Sequence, residues 1–395
     1  MIQISPQIYW IGVNDRTSDL FESFWPLPEG VSYNSYLLVD ERTVLFDTVK
    51  SNFSEEFIDN LRAGLDGREL DYLVVHHMEP DHSGSIPLIR ELYPDVRIIC
   101  TSKAEGMLKR FYGIDSNVKV IEDEGTLGVG ERKLKFFETP FVHWPETMMS
   151  YVQSDGVLFP CDAFGGFSAL DGGIFDDDIR NLSRYEDEIL RYFSNIVGKY
   201  SATVQAALRK LEDIDIDVVA PSHGPIWRDQ PETIVDLYGR WSRMEGDSGV
   251  TLIYGSMYGN TKKLMEEVAR GVQSAGCVDL KVMDASRTHL SYLLSEAWKR
   301  EGLLIGAPTY DGRIFPPVGN FIDILERKQL RNRVAGVFGS HGWAGGGVDR
   351  IKEAMDDLRW EVLQPVVDFG GRPTGEDLSR GRELGKKIGK TVMED

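Results

Sequence analysis

The sequence predicts a two-domain α/β protein: a pair of sheets with helices outside them, followed by a doubly wound parallel sheet. Three observations carry this. At 395 residues the chain exceeds one ordinary domain and suits two or three. With 42% apolar and 27% charged residues it can build cores of normal size. The charge, finally, is unevenly spread: residues 1–248 hold 23 basic and 43 acidic residues, whereas residues 249–395 hold 21 and 20. The change falls at Glu245-Gly246-Asp247-Ser248-Gly249, a polar stretch before the apolar run Val250 to Tyr254 that reads as a linker into a first strand. The expected domains are therefore 1–248 and 249–395.

The same arithmetic excludes several classes. A net charge of −19 leaves no basic surface for tracking phosphates, so nucleic acid is not an expected partner. No apolar run reaches the 18 or so residues of a membrane span, and the N-terminus lacks the basic start and apolar core of a signal peptide. The expectation is a cytoplasmic protein without membrane contact. Cys100, Cys161 and Cys277 form no C-x-x-C pair, which argues against a disulfide framework, a zinc ribbon, an iron–sulfur site or a built-in rubredoxin module. Buried packing is the expected role of each, Cys161 included.

In the first domain, paired strands are expected near 33–40 and 43–48. A helix near 53–65 follows, with Phe53, Phe57, Leu61 and Leu65 in register. A strand from Asp71 to His76 runs into a His/Asp-rich loop. Helices near 185–197 and 201–212 precede a strand from Asp217 to Ala220. In the second domain, a strand at 250–255 leads to a helix from about 260, whose Leu264, Val268, Gly271, Val272 and Ala275 share a face. Further strands are expected near 278–283, 302–306, 333–339 and 362–368, with a closing Lys/Arg-rich helix. Strand–helix alternation over this length has the size of a flavodoxin-like fold.

Seven residues suggest a metal site. Four sit in the run His77-Met78-Glu79-Pro80-Asp81-His82, directly after a strand of buried character. His143, Asp162 and His223 are each expected to close a short apolar strand, where sites form on sheet scaffolds. Four imidazoles, three carboxylates and no thiolate make too large and oxygen-rich a set for structural zinc. Such a set suits two ions with a bridging carboxylate, either two catalytic zincs or two irons. His76, His289 and His341 are read as ordinary hydrogen-bonding histidines rather than ligands.

This pattern resembles that of the metallo-β-lactamase-like proteins, whose run is His-x-His-x-Asp-His. Glu79 stands where their second His would be, and an added anionic oxygen favours a harder ion. With His143-Trp144-Pro145-Glu146 and Ser222-His223-Gly224-Pro225-Ile226-Trp227-Arg228, the chain resembles the flavodiiron proteins over nearly its whole length. The resemblance implies an αββα sandwich of metallo-β-lactamase type followed by a flavodoxin-like domain. It implies that His77, Glu79 and His143 hold one iron, Asp81 and His223 the other, with Asp162 bridging. His82 matches a position that ligates in some members and is displaced in others. Tyr192 is implied to lie near the substrate pocket.

Flavin is suggested by three loops at strand ends. Ser256, Met257, Tyr258, Gly259, Asn260 and Thr261 open the first helix of the second domain and offer hydroxyls and free N–H groups to a phosphate. There is no Walker lysine and no G-x-G-x-x-G in this loop. Pro308, Thr309, Tyr310, Asp311 and Gly312 form the second loop, and Ser340, His341, Gly342, Trp343, Ala344 and Gly345 the third. All lie where a doubly wound sheet binds its ligand, and Tyr310 and Trp343 can stack on or edge an isoalloxazine. The set is similar to the FMN site of flavodoxins.

The resemblance thus implies an oxidoreductase that reduces dioxygen to water, nitric oxide to nitrous oxide, or both, at a non-haem di-iron site supplied through FMN. It further implies an external donor, rubredoxin or a reduced deazaflavin coenzyme, and a head-to-tail homodimer or dimer of dimers. The competing reading is a dinuclear zinc hydrolase fused to a flavodoxin module.

Overall fold

The computed structural model describes residues 1–277 and 279–394. The chain divides into two compact units, Met1–Ser242 and Arg243–Asp395, a few residues before the junction expected at 248/249. Val278, the first residue of the strand expected at 278–283, and Asp395 lie outside the described residues.

The first unit contains a sheet of seven strands: β1 (Ile2–Ser5), β2 (Ile8–Trp10), β3 (Tyr36–Val39), β4 (Thr43–Phe46), β5 (Tyr72–Val74), β6 (Arg97–Cys100) and β7 (Val118–Val120). They lie side by side in chain order. β1 to β4 pair antiparallel, because three residues suffice to turn from β3 into β4. β4 to β7 pair parallel, and parallel pairing needs a longer crossover. The helix Ser54–Leu65 makes the crossover from β4 to β5, burying Phe57, Ile58, Leu61 and Leu65 at helical spacing. Phe53, expected in that stripe, belongs to the preceding turn.

A second sheet, also in chain order, comprises β8 (Thr126–Gly128), β9 (Lys133–Glu138), β10 (Met148–Val152), β11 (Val157–Phe159) and β12 (Val218–Val219). The two sheets meet face to face. Phe46 of β4 stacks on Phe159 of β11 with centroids 4.1 Å apart, and Tyr36 of β3 lies 5.0 Å from the same ring. Two short ribbons, Val13–Asp15 with Val31–Tyr33 and Leu20–Phe21 with Trp25–Pro26, add a rim that the apolar pattern did not announce. The helix expected over 185–197 stops early. Leu182–Tyr192 is α-helical, then Phe193–Val197 forms a wider turn before the helix Ser201–Leu211. The Ser194 hydroxyl and the Asn195 amide both donate to the Arg191 carbonyl, at 3.1 and 2.5 Å. Such side chains compete with the regular ladder.

The second unit is built on β13 (Asp247–Tyr254), β14 (Leu280–Asp284), β15 (Arg300–Tyr310), β16 (Val334–His341) and β17 (Val367–Gly370), all parallel in the order β14-β13-β15-β16-β17. This is the flavodoxin-like order, which reverses direction between β13 and β15 and leaves a crevice there. The strand expected at 362–368 is split into Glu361–Val362 and β17, flanking Pro365, which has no N–H for the ladder. The helix Gly375–Glu394 packs on the helix Asn260–Ser274 over a core that includes Leu252, Leu264, Val268, Leu304, Phe338, Leu384 and Ile388. Glycines permit this close crossing: a Cβ on Gly385 would run into the Val268 carbonyl, and one on Gly271 into that of Arg382. No helix among the described residues is long and apolar enough to cross a membrane.

Candidate metal centre and ligand cleft

β5 ends at Val74, and the chain then turns into a single helical turn, Pro80–Ser83, with Glu79 as its N-terminal flank and proline at its first position. This compact geometry separates two adjacent histidines. His76 is tied by Nδ1 to Asp47 Oδ2 and by Nε2 to Ser150 Oγ, both at 2.7 Å, and so holds the two sheets together. His77 leaves Nε2 toward a cluster with Glu79, His143 and Asp162. His143 is not at a strand end as expected; it lies in the turn between β9 and β10. Asp162 and His223 lie just beyond β11 and β12.

The side chains form two groups that share one carboxylate. Glu79 Oε2 is 3.3 Å from His77 Nε2 and 3.1 Å from His143 Nε2, and Asp162 Oδ2 is 3.4 and 3.2 Å from the same two nitrogens. In the other group Asp81 Oδ2 is 3.4 Å from His82 Nε2 and 3.3 Å from His223 Nε2, while Asp162 Oδ1 is 2.9 and 3.4 Å from them. Each oxygen of Asp162 therefore belongs to a different group. His82, the least determined of the expected ligands, lies in the second group with its Nε2 inward.

These atoms aim at common points rather than at one another. Both oxygens of Asp81 and Asp162, and Nε2 of His82, His143 and His223, are buried without a hydrogen-bond partner, despite separations near 3 Å. Buried polar groups are rarely left so, and an arrangement of inward-facing donors fits one cation per group. The outer nitrogens of His77 and His223 are fixed from behind. His77 Nδ1 contacts Glu146 Oε1 at 2.8 Å, which also accepts from the Met78 N–H at 3.0 Å; His223 Nδ1 contacts the Ser32 carbonyl at 2.7 Å. A carbonyl can only accept, so His223 carries its proton on Nδ1 and leaves Nε2 free. Sequence reasoning assigned no role to Glu146 or Ser32.

Burial alone would pull His143 and His223 down. The carboxylates of Asp162 and Glu79 push His143 up to about 9, and those of Asp162 and Asp81 push His223 up to about 10. Burial opposes ionisation of Glu79 and Asp162, yet the imidazoles hold both below the usual carboxylate range. Without a cation the cluster neutralises itself with protons, which a metal would displace.

Aromatic rings wall the second group. Phe21, Tyr33 and Tyr192 lie 5.7, 5.8 and 5.4 Å from the His223 ring, centroid to centroid, and Phe167 lies 5.1 Å from Tyr192. The Tyr192 hydroxyl is buried without a hydrogen-bond partner; burial and the charges of Asp162 and Asp81 push it well above the ordinary phenol value. Cys161 reaches toward His82 and Asp162, but burial and the Asp162 charge keep its thiol neutral, as suits packing.

The second unit carries a cleft of about 430 Å³ at the crevice beside β13 and β15. Of the residues expected from the three loops, all line it except Ser256, Gly259 and Gly345; Gly371 is an addition from the loop after β17. Ser256 acts from behind, its Oγ accepting from the N–H groups of Gly259 (3.2 Å) and Lys262 (3.4 Å). Gly259 has φ +86°, a conformation that glycine adopts freely. Hydroxyls tie the loops together: Thr261 Oγ1 to Ser340 Oγ at 2.8 Å, and the Gly347 N–H to Thr309 Oγ1 at 3.1 Å. Tyr258 and Trp343 are 90% and 96% exposed at the rim. His289 is elsewhere, accepting from the Ser291 N–H at a helix start.

Comparison with known proteins accounts for both units. The family model described as ODP family beta lactamase matches residues 31–224, and the flavodoxin model matches residues 252–385. A nitric oxide reductase of Moorella thermoacetica is 34% identical over 398 residues, which cover all of this chain and 99% of that protein. The chain belongs to the flavodiiron protein family. Among solved structures, rubredoxin oxygen:oxidoreductase of Desulfovibrio gigas superposes with a TM-score of 0.94 at 28% identity, covering 99% of this chain and 98% of that one. The flavodiiron protein of Giardia intestinalis gives 0.94 at 27% identity, covering 100% and 97%. This flavodiiron protein is accordingly an oxidoreductase, with a lactamase-type first unit and a flavodoxin-type second.

Proposed function

We propose that this protein reduces dioxygen to water, nitric oxide to nitrous oxide, or both, at two iron ions resupplied with electrons through FMN. The observation that carries the reading is Asp162, whose two oxygens belong to two separate groups of inward-facing donors. His77, Glu79 and His143 would hold one ion and Asp81, His82 and His223 the other, with Asp162 shared. Iron is favoured over zinc by Glu79, an anionic oxygen in a position the hydrolase pattern gives to histidine. The names of the Moorella and Desulfovibrio relatives support the two candidate gases.

When bound, the ion pair would bind the gas and pass electrons to it, and FMN in the cleft would store two electrons for it. The chain's own residues do the rest. Glu146 and the Ser32 carbonyl orient His77 and His223. Phe21, Tyr33 and Phe167 keep bulk water from the second group. Tyr192 holds a proton on its hydroxyl oxygen beside His223, available to a product that must gain protons. In the cleft, Asn260 and Thr261 would receive the phosphate at the helix start, with Ser256 and Gly259 shaping that loop from behind, and Tyr310 and Trp343 would contact the ring.

The working assembly is proposed to be a head-to-tail homodimer, or a dimer of dimers, with the flavin of one protomer serving the metals of its partner. The exposed Tyr258 and Trp343 at the cleft rim support this. The donor is proposed to be rubredoxin, as in the name of the Desulfovibrio relative, or a reduced deazaflavin coenzyme. The cytoplasm is the proposed location.

The test is the metal and flavin content of protein purified without oxygen from iron-supplemented cells. Two irons and one FMN per chain are expected, with consumption of dioxygen or nitric oxide when reduced rubredoxin is supplied. Two zincs that persist under iron supplementation would overturn the reading in favour of a zinc hydrolase acting on thioesters or phosphodiesters.

A further inference from the structure

We propose that His341, oriented by Asp368, is the charge-compensating residue of the cleft: it stabilises the flavin after reduction more than before it, and so sets the flavin potential. The proposal rests on FMN being the occupant of the cleft. His341 is the last residue of β16, and its side chain lines the cavity while remaining 26% exposed. Its Nδ1 lies 3.1 Å from Asp368 Oδ1 on the neighbouring strand β17, and Nε2 has no protein partner among the described residues. Two glycines leave room for the pair. A Cβ on Gly345 would come within 3.2 Å of Asp368 Oδ2, and one on Gly370 within 3.4 Å of His341 Nε2.

Charge singles this residue out. No lysine or arginine lines the cleft, and its ionisable wall residues are Asp311, Tyr258, Tyr310 and His341. From the first loop come the neutral Asn260 and Thr261, from the second Asp311, from the third His341, and from β17 behind it Asp368. His341 is thus the one wall residue able to carry positive charge, among carboxylates that oppose any added negative charge. Two-electron reduction of a flavin with uptake of one proton at N5 leaves one more negative charge on the ring. An imidazolium on the wall offsets that charge by Coulomb attraction and gives up no proton in doing so. Asp368 has a positioning role: its contact with Nδ1 fixes the imidazole in the wall of the cleft.

The test uses the full-length protein loaded with FMN and reduced by dithionite, a one-electron reductant, in equilibrium with redox dyes. Wild type, His341→Gln and Asp368→Asn are compared at pH 6 and at pH 9. Affinity for oxidised FMN is measured separately by fluorescence quenching. His341→Gln is expected to weaken binding of reduced FMN more than that of oxidised FMN. At pH 6 it should lose roughly tenfold in its preference for the reduced form, a fall of about 30 mV in the two-electron potential. At pH 9 the difference should be smaller. Asp368→Asn is expected to move the potential in the same direction by less, and it decides the matter if the histidine variant does not fold. An unchanged potential at pH 6, or an equal change at both pH values, would overturn the proposal. A wild-type protein that takes up no FMN would overturn the cofactor reading as well, and is told apart by the quenching titration.

Discussion

The two units solve the problem of holding a cofactor in opposite ways. In the first, seven polar side chains from loops beyond four strands are buried together, and the inward atoms of five of them lack hydrogen-bond partners. In the second, the ligand surface is made of loop backbone, hydroxyls and exposed aromatic rings at the open end of one sheet. A cation is small and strongly charged, so it repays the burial of carboxylates that would otherwise be costly. A flavin is large and flat, and must exchange electrons with something outside, so its seat stays open. Substitutions should accordingly act on ion content in the first unit and on ligand affinity or local packing in the second.

The largest effect is expected at Asp162. Asp162→Ala removes the carboxylate common to both groups, so both ions should be lost and activity should fall by about 100-fold or more, since even an outer-shell partner is worth 10- to 100-fold. Elemental analysis showing one ion retained would break the shared-carboxylate account. Next comes Glu146→Gln, which keeps the shape but weakens the acceptor behind His77; metal affinity should fall by roughly 10- to 100-fold, read by competition with a chelator. In the second unit, Gly385→Ala forces the two long helices apart and should cost about 1–3 kcal/mol in denaturant unfolding, without changing the ion content of the folded protein. Trp343→Ala, at the exposed rim, should leave stability within about 0.5 kcal/mol. FMN affinity should nevertheless drop by roughly 3- to 10-fold, the worth of a stacked ring at about 0.5–1.5 kcal/mol. The smallest effect is expected of the thiols. Burial pushes Cys100 up to about 12, and all three cysteines are buried, so a disulfide reagent at pH 8 should label none of them in the native protein.

What could be read from the sequence follows the same division. The order of the second unit was legible because parallel strands buried on both faces give continuous apolar runs, whereas the break of the last one at Pro365 was not read. The seven ligand candidates were legible because neither packing nor solvation places a run of histidines and carboxylates straight after an apolar strand. Their partition between two groups was implied by family resemblance, and His82 was included only because its position ligates in some members, being displaced in others. Its inward turn depends on how a single helical turn at Pro80–Ser83 rotates residues one position apart. Glu146 stands only three residues after the ligand His143, yet its role needed the turn after β9 to bring it behind His77. The Ser32 carbonyl leaves no trace in a sequence, since every residue has one. Gly371 reaches the cleft only because the last strand is interrupted, and the break in the helix after Tyr192 reflects two small side chains competing for one carbonyl.

The two large sheets of the first unit keep chain order, although residues 11–35 separate β2 from β3 and residues 160–217 separate β11 from β12. Most other pairings join strands close in sequence, and only the last strand of the second sheet must wait for a long connection. The ligands do not follow that schedule: His77 comes from the first sheet, Asp162 from the end of the second, and His223 only after β12 has joined it. A nascent chain therefore offers passing ions at most a partial nest until its 223rd residue has been synthesised and the sheets have closed on each other. If the cluster binds ions as proposed, its full set of ligands is complete only once the unit is finished.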